Sequence, residues 1–382
     1  MIYFDNSATT KPYAEVLDTF LKVSLDYFGN PSSLHGIGGE IERLVEQARK
    51  QTASFLGVQT NEVYFTSGGT ESNNLAIKGV ALRYGNRGKH IITSSIEHPS
   101  VKEACQQLVE IGFEVTYLPV DSMGRVNPKD VERSLRDDTI LVSIMHVNNE
   151  IGSIQPLKEI GEMISSRSRT LFHVDHVQGF GKVPLCMKNN HVDLCTLSAH
   201  KFHGLKGNGI LFVKHGVELS PLLSGGEQEQ KFRSGTENTG GIVSTAKAMR
   251  LYWEESTNSL KSLHQLSSLL KEKLKEIQGV EIHTPDEYAA PHIINFSLIG
   301  LKGEVLVHAF EEVGIFISTT SACSSKQKIP SSTLLAMGKS KEKADSAVRI
   351  SLSFQNTEED ITGFIYRLNQ IISKYSNVIR RS

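Results

Sequence analysis

The chain has 382 residues, enough for a large hydrophobic core and for more than one small domain. Hydrophobic residues make up 39% and charged residues 22%, the proportions of an ordinary globular protein. The 41 basic and 42 acidic side chains nearly cancel, so the composition argues against a protein built to bind nucleic acid or an anionic membrane.

The N-terminal residues 1–6 have no basic region followed by an apolar run, so we expect no secretory signal. No apolar stretch approaches the ~18 residues that a membrane-spanning helix needs. The four cysteines are scattered without C-x-x-C pairs, which argues against disulfide bridges or a structural zinc site. The cytoplasm is therefore the predicted location.

Between about residues 62 and 214, short β-branched and apolar runs alternate with helix-like segments such as Ser100–Gly112. Several runs are continuously apolar, as in strands covered on both faces. The pattern predicts a mostly parallel sheet flanked by helices, with ligands at the carboxyl ends of the strands. The predicted strands are Val63–Thr66, His90–Thr93, Glu114–Leu118, Ile140–Met145, Thr170–Val174, Val192–Leu197 and Gly209–Val213.

After Gly235 the pattern changes, and a long helix is predicted from about Gly241 to Gln278. Further along, the sequence predicts strands at Ile293–Ser297 and Ala347–Leu352 and a helix near Glu304–Val313. We interpret this part as a smaller α+β domain. The predicted division is a large domain of residues 15–255 and a small domain of residues 1–14 and 256–382.

Lys201 follows His200 at the end of a predicted strand and precedes the glycine-rich residues 204–209. Desolvation at such a position can make a lysine amine nucleophilic. Most lysines are ordinary exposed residues, however, so this interpretation needs support from other motifs.

A second motif, Ser67–Ser72, joins a predicted strand to a helix that starts near Glu71. Its glycines let the backbone approach an anion, and the N–H groups at a helix N-terminus point toward it. Turns of this kind are common, so the motif alone indicates a phosphate site only weakly. The absence of G-x-x-x-x-G-K-[ST] and G-x-G-x-x-G runs argues against a nucleotide.

Asp175 ends a predicted strand, where a buried carboxylate needs a cationic partner. A protonated pyridine nitrogen is such a partner, and the pairing turns the ring into an electron sink. Gln178 could donate to an oxygen of that ring. His173 and Asp175 share one face of the strand, which leaves a metal site as the alternative, although no third ligand has a supporting spacing.

Two further side chains have both a functional and an ordinary interpretation. His98 could stack on a flat ring or transfer protons near neutral pH, or be a structural loop histidine. Arg349 could bind a carboxylate through two hydrogen bonds, or be an ordinary surface arginine.

Cys323 lies among small polar residues with Lys326 and Lys328 nearby, the setting of an exposed loop thiol that could act as a nucleophile or redox centre. Most free cysteines are instead buried as small hydrophobic residues. Cys105, Cys186 and Cys195 are expected to be of that ordinary kind, because each lies in an amphipathic or apolar segment.

Seven segments in the same order resemble the cysteine desulfurases of the NifS/IscS type, in the class V aminotransferase family of fold-type I pyridoxal-phosphate (PLP) enzymes. The segments are Phe4–Thr10, Phe28–Ser33, Thr66–Asn74, His146–Gly152, Ser198–Gly209, Arg233–Asn238 and Ser321–Cys323. The resemblance implies an α/β fold, with a mostly parallel sheet between helices and a smaller α+β domain.

The resemblance also implies the chemistry. Lys201 would hold PLP as a Schiff base, and Cys323 would take sulfur from L-cysteine, leaving L-alanine and a persulfide for an acceptor protein. The resemblance places Gly69, Thr70, Ser198 and His200 at the cofactor phosphate, with Thr236 reaching it from the partner of a homodimer. It places Asp175 and Gln178 at the cofactor ring, with His98 stacked on the ring as a catalytic residue. Asn149 would contact the cofactor and the substrate carboxylate, and Arg349 would bind that carboxylate.

The chain departs from the family pattern outside the implied cofactor set. Gln230 replaces an arginine, Leu205 replaces a proline, residues 326–329 are more basic than usual, and no longer tail follows Ser382. These departures favour a specialised acceptor, such as a tRNA-thiolation enzyme, over the usual iron–sulfur scaffold. The alternatives are a PLP transaminase or β-lyase of the same fold, and a scaffold without activity. Direct contact with nucleic acid, a membrane or a metal is not expected.

Overall fold

The computed structural model describes residues 1–166, 169–319 and 330–375. Its strands are β1 (Ile2–Tyr3), β2 (Val63–Thr66), β3 (His90–Ser94), β4 (Glu114–Leu118), β5 (Thr139–Met145), β6 (Leu171–Asp175), β7 (Leu194–Ser198), β8 (Gly209–Val213), β9 (Val280–Ile282), β10 (Ile293–Leu298), β11 (Ile315–Phe316), β12 (Ser318–Thr319) and β13 (Ala347–Ser351). Its helices are α1 (Ala14–Asp26), α2 (Gly36–Leu56), α3 (Gly69–Tyr84), α4 (Pro99–Glu110), α5 (Pro128–Ser134), α6 (Leu157–Ser165), α7 (Thr239–Lys275), α8 (Gly303–Glu311), α9 (Ser332–Ala336), α10 (Lys341–Ser346) and α11 (Glu358–Lys374).

A sheet in the order β2-β8-β7-β6-β5-β3-β4 forms the centre of the larger unit. All neighbouring strands are parallel except β8, which is antiparallel to β2 and β7. The predicted α/β class is therefore confirmed. Met145 pairs with Asp175 and Asp175 with Thr196, so the carboxyl ends of β5, β6 and β7 meet at one edge.

Helices cover both faces of this sheet, which explains why its strands are continuously apolar. Ile91 packs in a core with residues of α3 and α4, whereas the next residue, Ile92, packs in a second core with residues of α2, α6 and α7. Both side chains are fully buried. Alternate residues of one strand thus stabilise opposite layers.

Helix α7 connects this unit to a second, antiparallel sheet in the order β12-β13-β10-β9. Met249 in its first half packs in the core of the large sheet, and Leu270 in its second half packs with Phe296 and Phe364 in a separate core. This packing agrees with the predicted domain boundary near residue 255, which stays a prediction.

The expectation for the three ordinary cysteines is wrong in one case. Cys105 and Cys195 are fully buried, but Cys186 is exposed. It lies outside the helices and strands, and the neighbouring Met187 takes the buried position there instead. In the described ranges, no helix is both long and apolar enough to span a membrane.

Candidate active site

A cavity of about 410 Å³ opens at the carboxyl edge of the large sheet. It lies where ligands of such sheets generally bind. Its walls come from the segments that follow β2, β3, β5, β6 and β7, and from β13 of the second sheet. The predicted site residues that line it are Gly69, Thr70, His98, Asn149, Asp175, Gln178, Ser198, His200, Lys201 and Arg349.

The other two predicted site residues are Thr236 and Cys323. Thr236 is exposed in the segment before α7 and does not line the cavity of its own chain. Cys323 lies outside the described residues.

Lys201 is placed by a single 3₁₀ turn, Ala199–Lys201, that directly follows β7. The half-buried side chain donates from Nζ to the carbonyl oxygens of Ser7 and Ala8, the latter at 2.8 Å. The N-terminal segment therefore covers one side of the lysine. Sequence reasoning assigned no role to these two residues, although they lie in the quoted segment Phe4–Thr10.

Asp175 is buried at the end of β6 and accepts two hydrogen bonds. Oδ1 accepts from the Val177 backbone N–H at 3.0 Å, and Oδ2 accepts from Nδ2 of Asn73 at 2.8 Å. Both donors are neutral amides, so they orient the carboxylate without neutralising its charge. A cationic ligand group in the cavity would provide the missing counter-charge.

A hydrogen-bond chain connects Asp175 to His98. Asn73 Nδ2 also donates to Ser100 Oγ at 2.9 Å, and Ser100 Oγ lies 2.8 Å from His98 Nδ1. The Ser100 backbone N–H donates to the same Nδ1, so the ring proton of neutral His98 is on Nε2. Burial lowers the pKa of His98, which favours this neutral form.

The start of α3 forms a cradle for an anion. The helix begins at Gly69 without a side-chain cap, and Gly69 and Thr70 line the cavity, so the first N–H groups of α3 are available to an anion there. A Cβ atom on Gly69 would lie only 3.1 Å from Val177 Cγ2 and 3.4 Å from Ser198 Cβ, so the lack of a side chain permits this close approach. Burial lowers the pKa of the nearby His200 to about 4, so its ring is neutral and acts through hydrogen bonds.

Arg349 is an almost fully buried arginine, not an ordinary surface one. Nη1 donates to the Asn149 carbonyl oxygen and Nη2 to Asp5 Oδ1, each at 2.9 Å. Asn149 and Arg349 therefore lie next to each other on the cavity wall, although 200 residues separate them in the chain. These contacts fix the orientation of the guanidinium group.

Four charged wall residues were missed by sequence reasoning: Glu97, Glu150, Lys102 and Glu103. Glu97 and Glu150 are buried, and burial raises the pKa of Glu97 to about 8 and also raises that of Glu150. Glu150 lies in the family segment His146–Gly152, and Glu97 directly precedes His98, so the sequence offered a reason to consider both. It offered none for Lys102 or Glu103.

The alternative of a metal site at His173 finds no support in its contacts. Nδ1 of this buried ring bonds Ser143 Oγ at 2.8 Å, and Nε2 bonds Thr196 Oγ1 at 3.1 Å. In the part of the chain that the structure describes, no three His, Cys, Asp or Glu side chains are arranged to hold a metal ion.

Comparison with known proteins agrees with the site. The profile of the family described as "Aminotransferase class-V" matches residues 2–364. The chain belongs to this family. A "NifS/IcsS protein homolog" of Lactobacillus delbrueckii subsp. bulgaricus is 48% identical, with 99% of each chain covered. A protein of Methanosarcina thermophila named "Cysteine desulfurase IscS" is 45% identical, covering 99% of this chain and 93% of its own.

Solved structures extend the same similarity. One titled "NIFS-LIKE PROTEIN" has a TM-score of 0.92 and 40% identity, with 97% of this chain and 99% of its own covered. Another, titled "SspA in complex with cysteine", has a TM-score of 0.82 and 34% identity, with 92% and 99% covered. The predicted resemblance to NifS/IscS-type cysteine desulfurases within this class-V family is thereby confirmed.

Class-V aminotransferases use PLP, and the residues of this cavity fit that group. The Asp175 carboxylate matches a protonated pyridine nitrogen, and the start of α3 matches a phosphate. Gln178 donates from Nε2 to the Ser7 carbonyl oxygen at 3.0 Å, which leaves its Oε1 buried without a partner. A ring hydroxyl could donate to this oxygen, whereas the sequence interpretation had Gln178 as the donor.

Proposed function

We propose that this chain is a PLP-dependent cysteine desulfurase, which converts L-cysteine to L-alanine and leaves a persulfide on Cys323. The observation that carries the proposal is the meeting of Lys201, Asp175 and Arg349 on the wall of one cavity. An amine, a charged carboxylate and a buried guanidinium group are what a PLP enzyme needs to bind its cofactor and an amino acid.

In this proposal each wall of the cavity has its own task. Lys201 would hold PLP covalently, Asp175 would pair with the ring nitrogen, and the start of α3 with Thr70, Ser198 and His200 would bind the phosphate. When bound, PLP supplies an electron sink that stabilises negative charge developing on the substrate carbon atoms. Neutral His98 would lie against the ring and carry a proton on Nε2, and Asn149 and Arg349 would hold the substrate carboxylate.

Transfer of sulfur from L-cysteine to Cys323 needs no external oxidant. The Cys323 thiolate would attack the substrate sulfur, so that an S–S bond forms while the C–S bond of cysteine breaks. The electron pair of the C–S bond stays on the carbon, which takes up a proton and becomes the methyl group of alanine. The persulfide would then pass to an acceptor protein, a tRNA-thiolation enzyme or an iron–sulfur scaffold.

A serine at position 323 tests the role of the thiol. Cys323→Ser is expected to lower alanine formation from cysteine at least a hundredfold, because a hydroxyl is a far weaker nucleophile toward sulfur than a thiolate. The absorbance of bound PLP should stay unchanged. Alanine would be quantified by chromatography, and persulfide by mass spectrometry of the labelled peptide.

The exposed Cys186 provides the matched control for this experiment. Cys186→Ser removes a thiol without touching the cavity, so alanine formation should stay at the wild-type rate. Alanine formation by Cys323→Ser at the wild-type rate would disprove the desulfurase mechanism, and a wild-type chain without a PLP chromophore would disprove the cofactor assignment.

We also propose that the active form is a homodimer. Helix α1 presents the exposed residues Leu17, Leu21 and Leu25 at a spacing of four, and exposed Phe28 follows the helix. A stripe of this kind is typical of a protein interface. Phe20 and Ser24 of the same helix face Gly240 at the start of α7, which follows the Thr236 segment, so the proposed interface and Thr236 lie on neighbouring elements.

A further inference from the structure

The cavity has one lysine or arginine side chain that the proposed function does not use. Among the described wall residues, the lysines and arginines are Lys201, Arg349 and Lys102. Lys201 is assigned to the cofactor. Arg349 is oriented toward the carboxylate site by Asp5 and by the Asn149 carbonyl group. Lys102 remains.

Lys102 connects α4 to α9 on the wall of the cavity. It lies one turn after His98 in α4, on the side of the large sheet. Its Nζ is 3.5 Å from Ser332 Oγ, at the start of α9, and both residues line the cavity. The side chain is half-buried, so its ammonium group is partly removed from water.

The charge of Lys102 is incompletely balanced by its neighbours. The nearest carboxyl groups that act on it are those of Glu150 and Glu97. Burial raises the pKa of both, to about 8 for Glu97, so the Glu97 carboxyl group is mostly protonated near neutral pH. The adjacent Glu103 also lines the cavity but is exposed to water. A partly buried ammonium group in this setting favours a ligand group that accepts a hydrogen bond, most strongly an anionic one.

We propose that Lys102 determines specificity by donating a hydrogen bond from its ammonium group to the sulfur end of the substrate while Arg349 holds its carboxylate. The inference rests on the proposed function and adds a second anchor to it. L-Cysteine has an ionisable group at each end, whereas the product alanine has lost the sulfur. Alanine would therefore lose the contact to Lys102 and be released more easily.

Binding of two different ligands distinguishes a specificity role of Lys102 from a purely structural role. L-Cysteine sulfinate carries a full negative charge on its side chain, and L-alanine has the same carboxylate without that charge. Each would be titrated into the PLP-loaded full chain, with the absorbance of the bound cofactor as the readout. In Lys102→Met, affinity for the sulfinate should fall about tenfold or more, because a charge-assisted hydrogen bond is lost. Affinity for alanine should change less than about threefold.

Two further variants serve as controls. Lys102→Arg keeps the charge and should retain most of the affinity for the sulfinate. Lys158→Met removes a charge from an exposed position on α6 away from the cavity, and should bind both ligands like the wild type.

The outcomes separate the two proposals. An equal loss of affinity for both ligands, or no loss for either, would overturn the role of Lys102 and leave the proposed function intact. A PLP-loaded wild-type chain whose absorbance responds to neither ligand would overturn the proposed function, and this inference with it.

Discussion

At the scale of single residues, Asn73 and Ser100 show how groups that need not touch a ligand define the site. They connect Asp175 to His98 by hydrogen bonds of 2.8 to 2.9 Å. These hydrogen bonds orient the Asp175 carboxylate and fix the tautomer of the His98 ring. Two groups that sequence reasoning assigned separately therefore act as one unit.

Glu97 leads to a prediction about pH. Burial raises the pKa of this carboxyl group to about 8, with a smaller contribution from Asp175. The folded chain therefore binds a proton that the unfolded chain releases near pH 4.5. The free energy of unfolding contributed by this group is largest below pH 4.5 and falls as the pH rises toward 8.

Glu97→Gln should remove this dependence. The amide oxygen can still accept from Ser94 Oγ and from the Met145 N–H, which bond Glu97 Oε1 at 2.5 and 3.0 Å. We expect the melting temperature of the variant to exceed that of the wild type at pH 8 by roughly a few degrees, and by less at pH 5. Calorimetry at both values checks this. A constant difference between variant and wild type at the two pH values would contradict it.

At the scale of elements, the turn Gln228–Lys231 is held in an unfavourable backbone conformation. Glu229, Gln230 and Lys231 have φ values of 45°, 52° and 71°, which cost energy in residues other than glycine. Hydrogen bonds of the buried Glu229 carboxylate offset the energy cost of this turn. Its oxygens accept from both terminal nitrogens of Arg49 and from the Phe65 N–H, each at 2.8 Å.

Glu229→Gln is expected to destabilise the chain by about 3 kcal/mol, because it leaves the largely buried Arg49 with only the exposed Glu46, 3.6 Å away, as a counter-charge and removes an acceptor. The turn precedes Thr236, so affinity for PLP in the proposed dimer should fall as well. Urea unfolding and cofactor titration measure the two effects.

The exposed pair of Arg250 and Glu254 on α7, 2.9 Å apart, offers a matched comparison. Glu254→Gln should change stability by less than about 0.5 kcal/mol, because water screens the pair. Equal effects of the two substitutions would show that Glu229 does not hold the turn.

At the scale of the whole molecule, the leucine stripe of α1 predicts the oligomeric state. Leu21→Asp places a charge at the centre of the stripe, which a dimer would have to bury without a partner. We expect it to shift the chain from dimer to monomer at micromolar concentration and to weaken PLP binding, because Thr236 of the partner is lost. Sedimentation velocity and cofactor titration check both effects.

Lys22→Asp is the control for this substitution, since residue 22 is exposed on the same helix but off the stripe. It should leave the dimer intact. A monomeric wild-type chain, or a Leu21→Asp variant that stays dimeric, would contradict the proposed interface.

Local patterns in the sequence were enough to predict most elements of the fold. The strands Val63–Thr66, Glu114–Leu118 and Gly209–Val213 are observed with the predicted bounds, and α7 differs from its prediction by two or three residues at its ends. Apolar runs and turn residues report on nearest neighbours along the chain, so they need no knowledge of the tertiary structure. The same local motifs were sufficient to predict the family.

Contacts between distant residues required the tertiary structure. The carbonyl groups of Ser7 and Ala8 meet Lys201 across more than 190 residues, and Asp5 meets Arg349 across 344. Lys102 lies in none of the sequence motifs, and its place on the cavity wall, 3.5 Å from Ser332 of α9, depends on how distant segments pack. The sequence by itself determined the elements, the family and the predicted cofactor residues, because these follow from local patterns. Burial, charge balance and hydrogen-bond partners were decided by the tertiary structure, because they depend on which distant segments pack together.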